Sequence, residues 1–157
     1  MKTDLFIDNN IAKNISNPMD AEYKKLIRWL MKNDPTNPAT NAYLVVSKKL
    51  LAEYSRSTSS SKSDTSIFII IDRLTREGRL IKINNADIKG FQHRYFSKKV
   101  RRELRSNRED HDHIPVVLLS DRKYALSLDE DFIYDLVHFP GFHPRVERRP
   151  EKLPYEE

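Results

Sequence analysis

Five carboxylates are spaced so that an alternating fold could gather them. Asp8 closes the apolar stretch "DLFID" at residues 4–8. Glu53 lies in "SKKLLAEYSR", a turn or two beyond the apolar "NAYLVV". Asp110 and Asp112 stand in "EDHDHI", and Asp129 closes "KYALSLD". Carboxylates crowded into a small volume raise one another's pKa and destabilise a fold unless a cation neutralises them. Mg²⁺ or Mn²⁺ suits such oxygen donors and keeps several waters. A metal so held can activate a water and stabilise the charge that develops on a phosphodiester.

A second chemical signal is positive. Residues 89–108, "KGFQHRYFSKKVRRELRSNR", carry eight Lys/Arg against one acid, Glu103. Charge of this density attracts polyanions, nucleic acid first among them. Read as one helix from about Phe91 to Arg105, the stretch turns Phe96, Val100 and Leu104 to the core. Arg94, Lys98, Arg101 and Arg105 then form a separate stripe, the candidate nucleic-acid contacts. The alternative is a solvated helix face.

The elements that must position these groups alternate. "DLFID" is a strand. "NPMDAEYKKLIRWLMKN" has helical periodicity from Pro18 or Asp20 to Lys32, with Tyr23, Leu26, Ile27, Leu30 and Met31 on one face. "NAYLVV" is a strand, and Ser47 caps the helix after it. "STSSSKSDTS", residues 57–66, reads as a flexible polar loop. Ile67, Ile70, Ile71 and Leu74 line the next helix, which stops at Gly78. "RLIKI" is a strand. "HIPVVLLS" is a short helix with Pro115 in its first turn. "KYALSL" is a strand, and "DEDFIYDLV" begins a last helix or turn. From Pro140 the chain holds four of its eight prolines in its final eighteen residues, which predicts an irregular tail. This order favours an α/β layer with a mostly parallel sheet, and such sheets place their sites at the carboxyl ends of the strands.

The totals set bounds. At 157 residues and 38% hydrophobic content the chain fits one core: a domain over 1–138 and a Pro-rich tail over 139–157. It has no cysteine, so disulfides and thiolate metal sites are excluded. "MKTDLF" lacks a signal-peptide run, and the longest apolar stretches, "IFIII" and "PVVLL", fall far short of the ~20 residues that span a bilayer. A cytoplasmic protein with no membrane segment is the expectation. Only three glycines occur, which leaves no Gly-rich phosphate loop.

Together these stretches resemble the PIN domain family. "FIDNNI" is similar to that family's first strand, where a catalytic Asp is closely followed by Ser/Thr and Asn. "VSKKLLAEYSR" resembles its Glu-bearing helix. "ALSLDEDF" resembles its last signature, a strand leading to Ser/Thr-x-Asp. The family's third Asp opens the helix where "EDHDHI" stands. The resemblance covers roughly residues 4–137. It implies a three-layer α/β/α fold with a central, mostly parallel twisted sheet. It implies Mg²⁺- or Mn²⁺-dependent cleavage of RNA, with Asp8, Glu53, Asp112 and Asp129 as ligands. Asp110 gives the more usual spacing, nineteen residues before Asp129. Asp112, at seventeen, lies closer to the helix start and is preferred. Further implications are a ribonuclease toxin with an antitoxin partner, and a homodimer.

Each residue also has a plainer reading. Asp8 could cap the turn after its strand, and Glu53 could be a solvated acid. Asp129 could cap the last helix, unless Asp131 does so and leaves Asp129 free. Asn10 is read as bonding the loop, and Ser127 as orienting Asp129 or a phosphate. His111 and His113 read as a surface pair before they read as ligands or proton carriers. Two further functions compete with a nuclease. One is a PIN-like nucleic-acid-binding or protein scaffold without catalysis. The other is a phosphoryl-accepting domain, which normally needs two adjacent acids after the first strand and a Lys after the last; "DNN" and "ALSLDED" supply neither.

Overall fold

The computed structural model describes residues 1–15, 19–57 and 66–157. The expected loop over 57–66 and a helix start at Pro18 fall largely or wholly on the remaining positions, outside the described residues.

Five short strands form one sheet: β1 (Thr3–Ile7), β2 (Ala42–Ser47), β3 (Leu80–Ile83), β4 (Tyr124–Leu126) and β5 (Arg145–Glu147). Their order is β3-β2-β1-β4-β5, and every pairing is parallel. Phe6 stands opposite Val45 on one side and Ala125 on the other. Such strands are covered on both faces and therefore read as continuous apolar runs rather than alternations. "LFI" and "LVV" are buried throughout.

Among the described residues eight α-helices connect the strands: α1 (Asn9–Ala12), α2 (Ala21–Met31), α3 (Lys48–Ser57), α4 (Ile67–Arg76), α5 (Asn85–Tyr95), α6 (Lys98–Glu103), α7 (His113–Leu118) and α8 (Glu130–Val137). α2 packs on β2 and α4, whereas α7 packs on β2 and α5. The result is the expected α/β/α layering. Ser47 does cap α3, its Oγ accepting from the Leu50 amide at 3.1 Å. Gly78, at φ 70°, ends the turn after α4, a conformation that costs a residue without a Cβ little. Among the described residues no helix is long and apolar enough to cross a membrane.

Two expectations are corrected. The basic stretch is not one helix from Phe91 to Arg105. α5 starts at Asn85 and ends at Tyr95, and Ser97 caps a new helix by accepting from the Val100 amide at 3.2 Å. Phe96 and Val100 are still buried, but Arg94, Lys98, Arg101 and Arg105 no longer share one helical stripe. The tail after 138, expected to be irregular and either packed on the domain or free, is packed and contains a strand. β5 extends the sheet, Tyr155 packs edge-on against Trp29 with ring centres 4.9 Å apart, and Arg149 grips the α2 cap Asp20 at 2.9 and 3.1 Å.

Candidate metal centre

The chain leaves β1 in one direction to build β2 and β3, and returns to the other side of β1 for β4 and β5. A crevice opens where the order reverses, outside the carboxyl ends of β1 and β4. Asp8 follows β1 there, and Ser127 and Asp129 follow β4.

Asp8 is 7% exposed and its carboxylate is fully engaged. Oδ1 accepts from the Asn9 amide at 2.8 Å, which caps the short α1. Oδ2 accepts from the Ser127 hydroxyl at 2.7 Å and from Asn10 Nδ2 at 3.3 Å. Burial pushes its pKa up, against the Ser127 hydrogen bond and the charge of His113. The same side chains lock the two strand ends together. Asn10 Oδ1 accepts from the Leu128 amide at 3.0 Å, and Ser127 Oγ accepts from the Asp129 amide at 3.1 Å. Asp129 is itself the cap of α8: its Oδ1 takes the Asp131 and Phe132 amides at 3.0 and 3.2 Å. Asp131 is not the cap.

Glu53 comes from α3 and Asp110 from a 3₁₀ turn over Arg108–Asp112. One donor atom each of Glu53, Asp110 and His113 lie within 4.8 Å of one another. Asp110 is pushed up to about 6, first by burial and then by the negative charge of Asp8, with Asp129 and Glu53 adding to it. Asp8, Asp129 and Glu53 are thus near enough for their charge to act on Asp110. Asp112 is not in that group. It accepts from Gln92 Nε2 at 2.8 Å and pairs with Lys49 Nζ at 3.1 Å. Burial acts to raise it, but those two partners hold it below the usual carboxylate range. The structure thus brings Asp110, which gives the more usual spacing, to Glu53, whereas Asp112, preferred for its nearness to the helix start, is taken up by Gln92 and Lys49.

His113 is the residue the sequence reading ranked too low, as half of a surface pair before a ligand or proton carrier. It is not part of a surface pair. It is 1% exposed, and its Nε2 lies 2.5 Å from Glu53 Oε2. A proton on Nε2 donates to Glu53, while Nδ1 is buried with no partner among the described residues. The readable signal was its place: "HIPVVL" is buried at every position, so a histidine opening that run must point inward. His111 is half-buried and bonds the Ser106 carbonyl at 3.1 Å. Tyr54, the neighbour of Glu53, donates from its buried hydroxyl to the carbonyl of Ile7, the neighbour of Asp8. Two acids on separate elements are thereby tied through adjacent backbone.

The donor set fits a hard divalent cation. Glu53 and Asp110 stand together, Asp8 and Asp129 act on Asp110 by charge, and among the described residues no Lys or Arg pairs with Asp8, Asp110, Glu53 or Asp129. Oxygen donors without a cationic side chain are what Mg²⁺ or Mn²⁺ requires.

The basic residues are differently placed. Arg101 donates to the Phe96 carbonyl at 3.1 Å and lies over its ring. The Arg105 guanidinium stacks 3.5 Å from the centre of Tyr134. Arg94 lies 5.2 Å from the Tyr95 ring, and Lys98 is exposed.

No protein-family model and no curated protein matches the chain. A solved structure does: the crystal structure of VapBC2 from Rickettsia felis bound to a DNA fragment from their promoter. The alignment has a TM-score of 0.56 at 16% identity and covers 93% of this chain and 98% of that one. The chain shares its PIN-like fold with that structure.

Proposed function

We propose that this protein is a metal-dependent endoribonuclease of the PIN type. The observation that carries the reading is the cluster of Glu53, Asp110 and His113, their donor atoms within 4.8 Å of one another, with Asp8 and Asp129 at the neighbouring strand ends acting on Asp110 by charge and no Lys or Arg paired with the four acids among the described residues. These four side chains would hold Mg²⁺ or Mn²⁺, which supplies an acidified water and an electrophile for the phosphodiester. Asp110 takes the third ligand position in preference to Asp112, whose carboxylate is already paired. His113 does not replace an acid as ligand; its Nε2–H orients Glu53, as donors behind a ligand commonly do. Asn10 and Ser127 hold Asp8. Exposed Arg94 and Lys98 remain available to phosphates, whereas the Arg101 and Arg105 guanidinium groups are engaged within the chain.

The neighbouring structure was crystallised as VapBC2 on DNA from their promoter. Applied here, it supports an antitoxin as the partner chain and nucleic acid as ligand. The test is cleavage of a mixed single-stranded RNA with Mg²⁺ or Mn²⁺ and with chelator, comparing wild type with Asp8→Asn. Cleavage that requires both the metal and Asp8 is expected. A folded wild type that binds RNA and never cuts it would favour the scaffold reading instead.

A further inference from the structure

A groove lies on the β3 side of the sheet. Its first part, a cavity of about 460 Å³, lies between α3 and α5 and is lined by Lys48, Lys49, Lys89, Asn85, Ile88 and Gln92 among others. A second cavity of about 250 Å³ continues it through Lys48 and Asn85 to Lys82 and Ile83. The helical spacing explains the lining. Asn85, Ile88, Lys89 and Gln92 stand at i, i+3, i+4 and i+7 on α5, one face of that helix. On α3, Lys49 of the lining stands at i and Glu53 at i+4, neighbours on one helix face. Lys49 also donates to the Glu109 carbonyl at 2.6 Å, on the turn that carries Asp110.

Its charge is free to act outward. Lys48, Lys82 and Lys89 are exposed, and none has an ion-pair partner among the described residues. Asp112 is the carboxylate in the lining, and Lys49 neutralises it. Within the basic stretch at 89–108, Lys89 faces this groove, whereas Arg101 and Arg105 are used on aromatic rings and a carbonyl. Lys48 and Lys49 come from α3, Lys82 from β3 and Lys89 from α5, and the fold sets the four along one groove.

We infer that a single strand of RNA lies along this groove, its phosphates on Lys48, Lys82 and Lys89, and so enters the metal centre past Lys49. This deepens the nuclease reading and rests on it for what happens at the end of the groove. An ammonium is a point charge without bidentate geometry, so the track holds backbone rather than sequence. The lysines thus set affinity and the direction of approach, not the choice of base.

The probe is a fluorescein-labelled single-stranded RNA of mixed sequence, titrated with the whole protein in chelator and followed by anisotropy at several salt concentrations. The combined variant Lys48→Gln, Lys82→Gln, Lys89→Gln is compared with the charge-keeping Lys→Arg set. The Gln variant should bind about tenfold more weakly or worse, and its salt slope should be smaller by about 2, roughly 0.7 per lost phosphate contact. The Arg set should bind like wild type. Unchanged affinity and slope in the Gln variant, or no RNA binding by wild type, overturns the groove. So does lysine-dependent capture of poly-glutamate with no lysine-dependent RNA binding, which marks a site for an acidic protein. Because chelator removes turnover, the nuclease reading stands or falls separately. A wild type that never cleaves but binds through these lysines keeps the groove and loses the enzyme. One that cleaves with lysine-independent binding does the reverse.

Discussion

Asp110 shows what a converging carboxylate costs before a cation arrives. Its pKa of about 6 stands above the ordinary 3.8, so the folded chain holds this proton more tightly than the unfolded one. Stability is therefore lost as pH rises from about 4 through 6, and the whole penalty is present above that. In chelator at pH 7.5, Asp110→Asn should be more stable than wild type by about 1–2 kcal/mol, with the shift discounted for partial exposure. That corresponds to roughly 3–6 °C in Tm for a chain of this length. At pH 4 the two should melt together, and Mg²⁺ should stabilise wild type far more than the variant. Thermal melts at the two pH values decide it; a variant that is less stable at pH 7.5 would remove Asp110 from the acidic group. At this scale the sequence was informative about which residue types mattered. Asp8 and Asp129 could be placed because each ends an apolar run. The preference for Asp112 over Asp110 could not foresee that Gln92 and Lys49 take up Asp112 while Asp110 stands beside Glu53. The burial of His113 was hidden for a related reason: its partner Glu53 lies sixty positions away.

At the scale of elements, the site depends on ties between segments. Tyr54→Phe removes the hydroxyl that bonds the Ile7 carbonyl, beside both Glu53 and Asp8. A buried hydrogen bond lost on one side should cost about 1–3 kcal/mol in urea unfolding. Metal affinity should fall with it; an unchanged midpoint would show that α3 is held to β1 by packing alone. Asp135 does the same for the loop that delivers Asp110. From α8 it accepts from the Arg105 and Ser106 amides at 2.8 and 2.9 Å and from the Ser106 hydroxyl at 2.6 Å. Asp135→Ala should cost about 2–4 kcal/mol, because three donors, the two of Ser106 buried, lose their acceptor. Hydrogen exchange should localise the loosening to 105–112, and exchange that rises uniformly would argue against a loop-specific anchor. Periodicity found most helices and strands because their buried faces are regular. It ran α5 and α6 together because Phe96, Val100 and Leu104 keep a spacing of four across a break. The capping bond of Ser97 that divides them leaves no mark on the apolar pattern.

At the scale of the molecule, the last residues belong to the fold. β5 covers the edge of β4, and Arg149 holds Asp20 with its carboxyl below the usual range, chiefly through their hydrogen bonds. Deleting residues 140–157 should therefore destabilise the domain broadly, not shorten it harmlessly. The expected result is a loss of cooperative melting by circular dichroism, and a truncated chain with wild-type Tm would overturn this. Proline content hid the strand, since three paired residues are too few for an alternating pattern to show. The reversal of strand order has one more consequence, for synthesis. A ribosome makes Asp8 more than a hundred residues before the strand that pairs beside β1 to complete its crevice, with β5 later still. The acids cannot meet before that strand has been made. If the protein cuts RNA, the message being read and the ribosome reading it stay out of its reach until then.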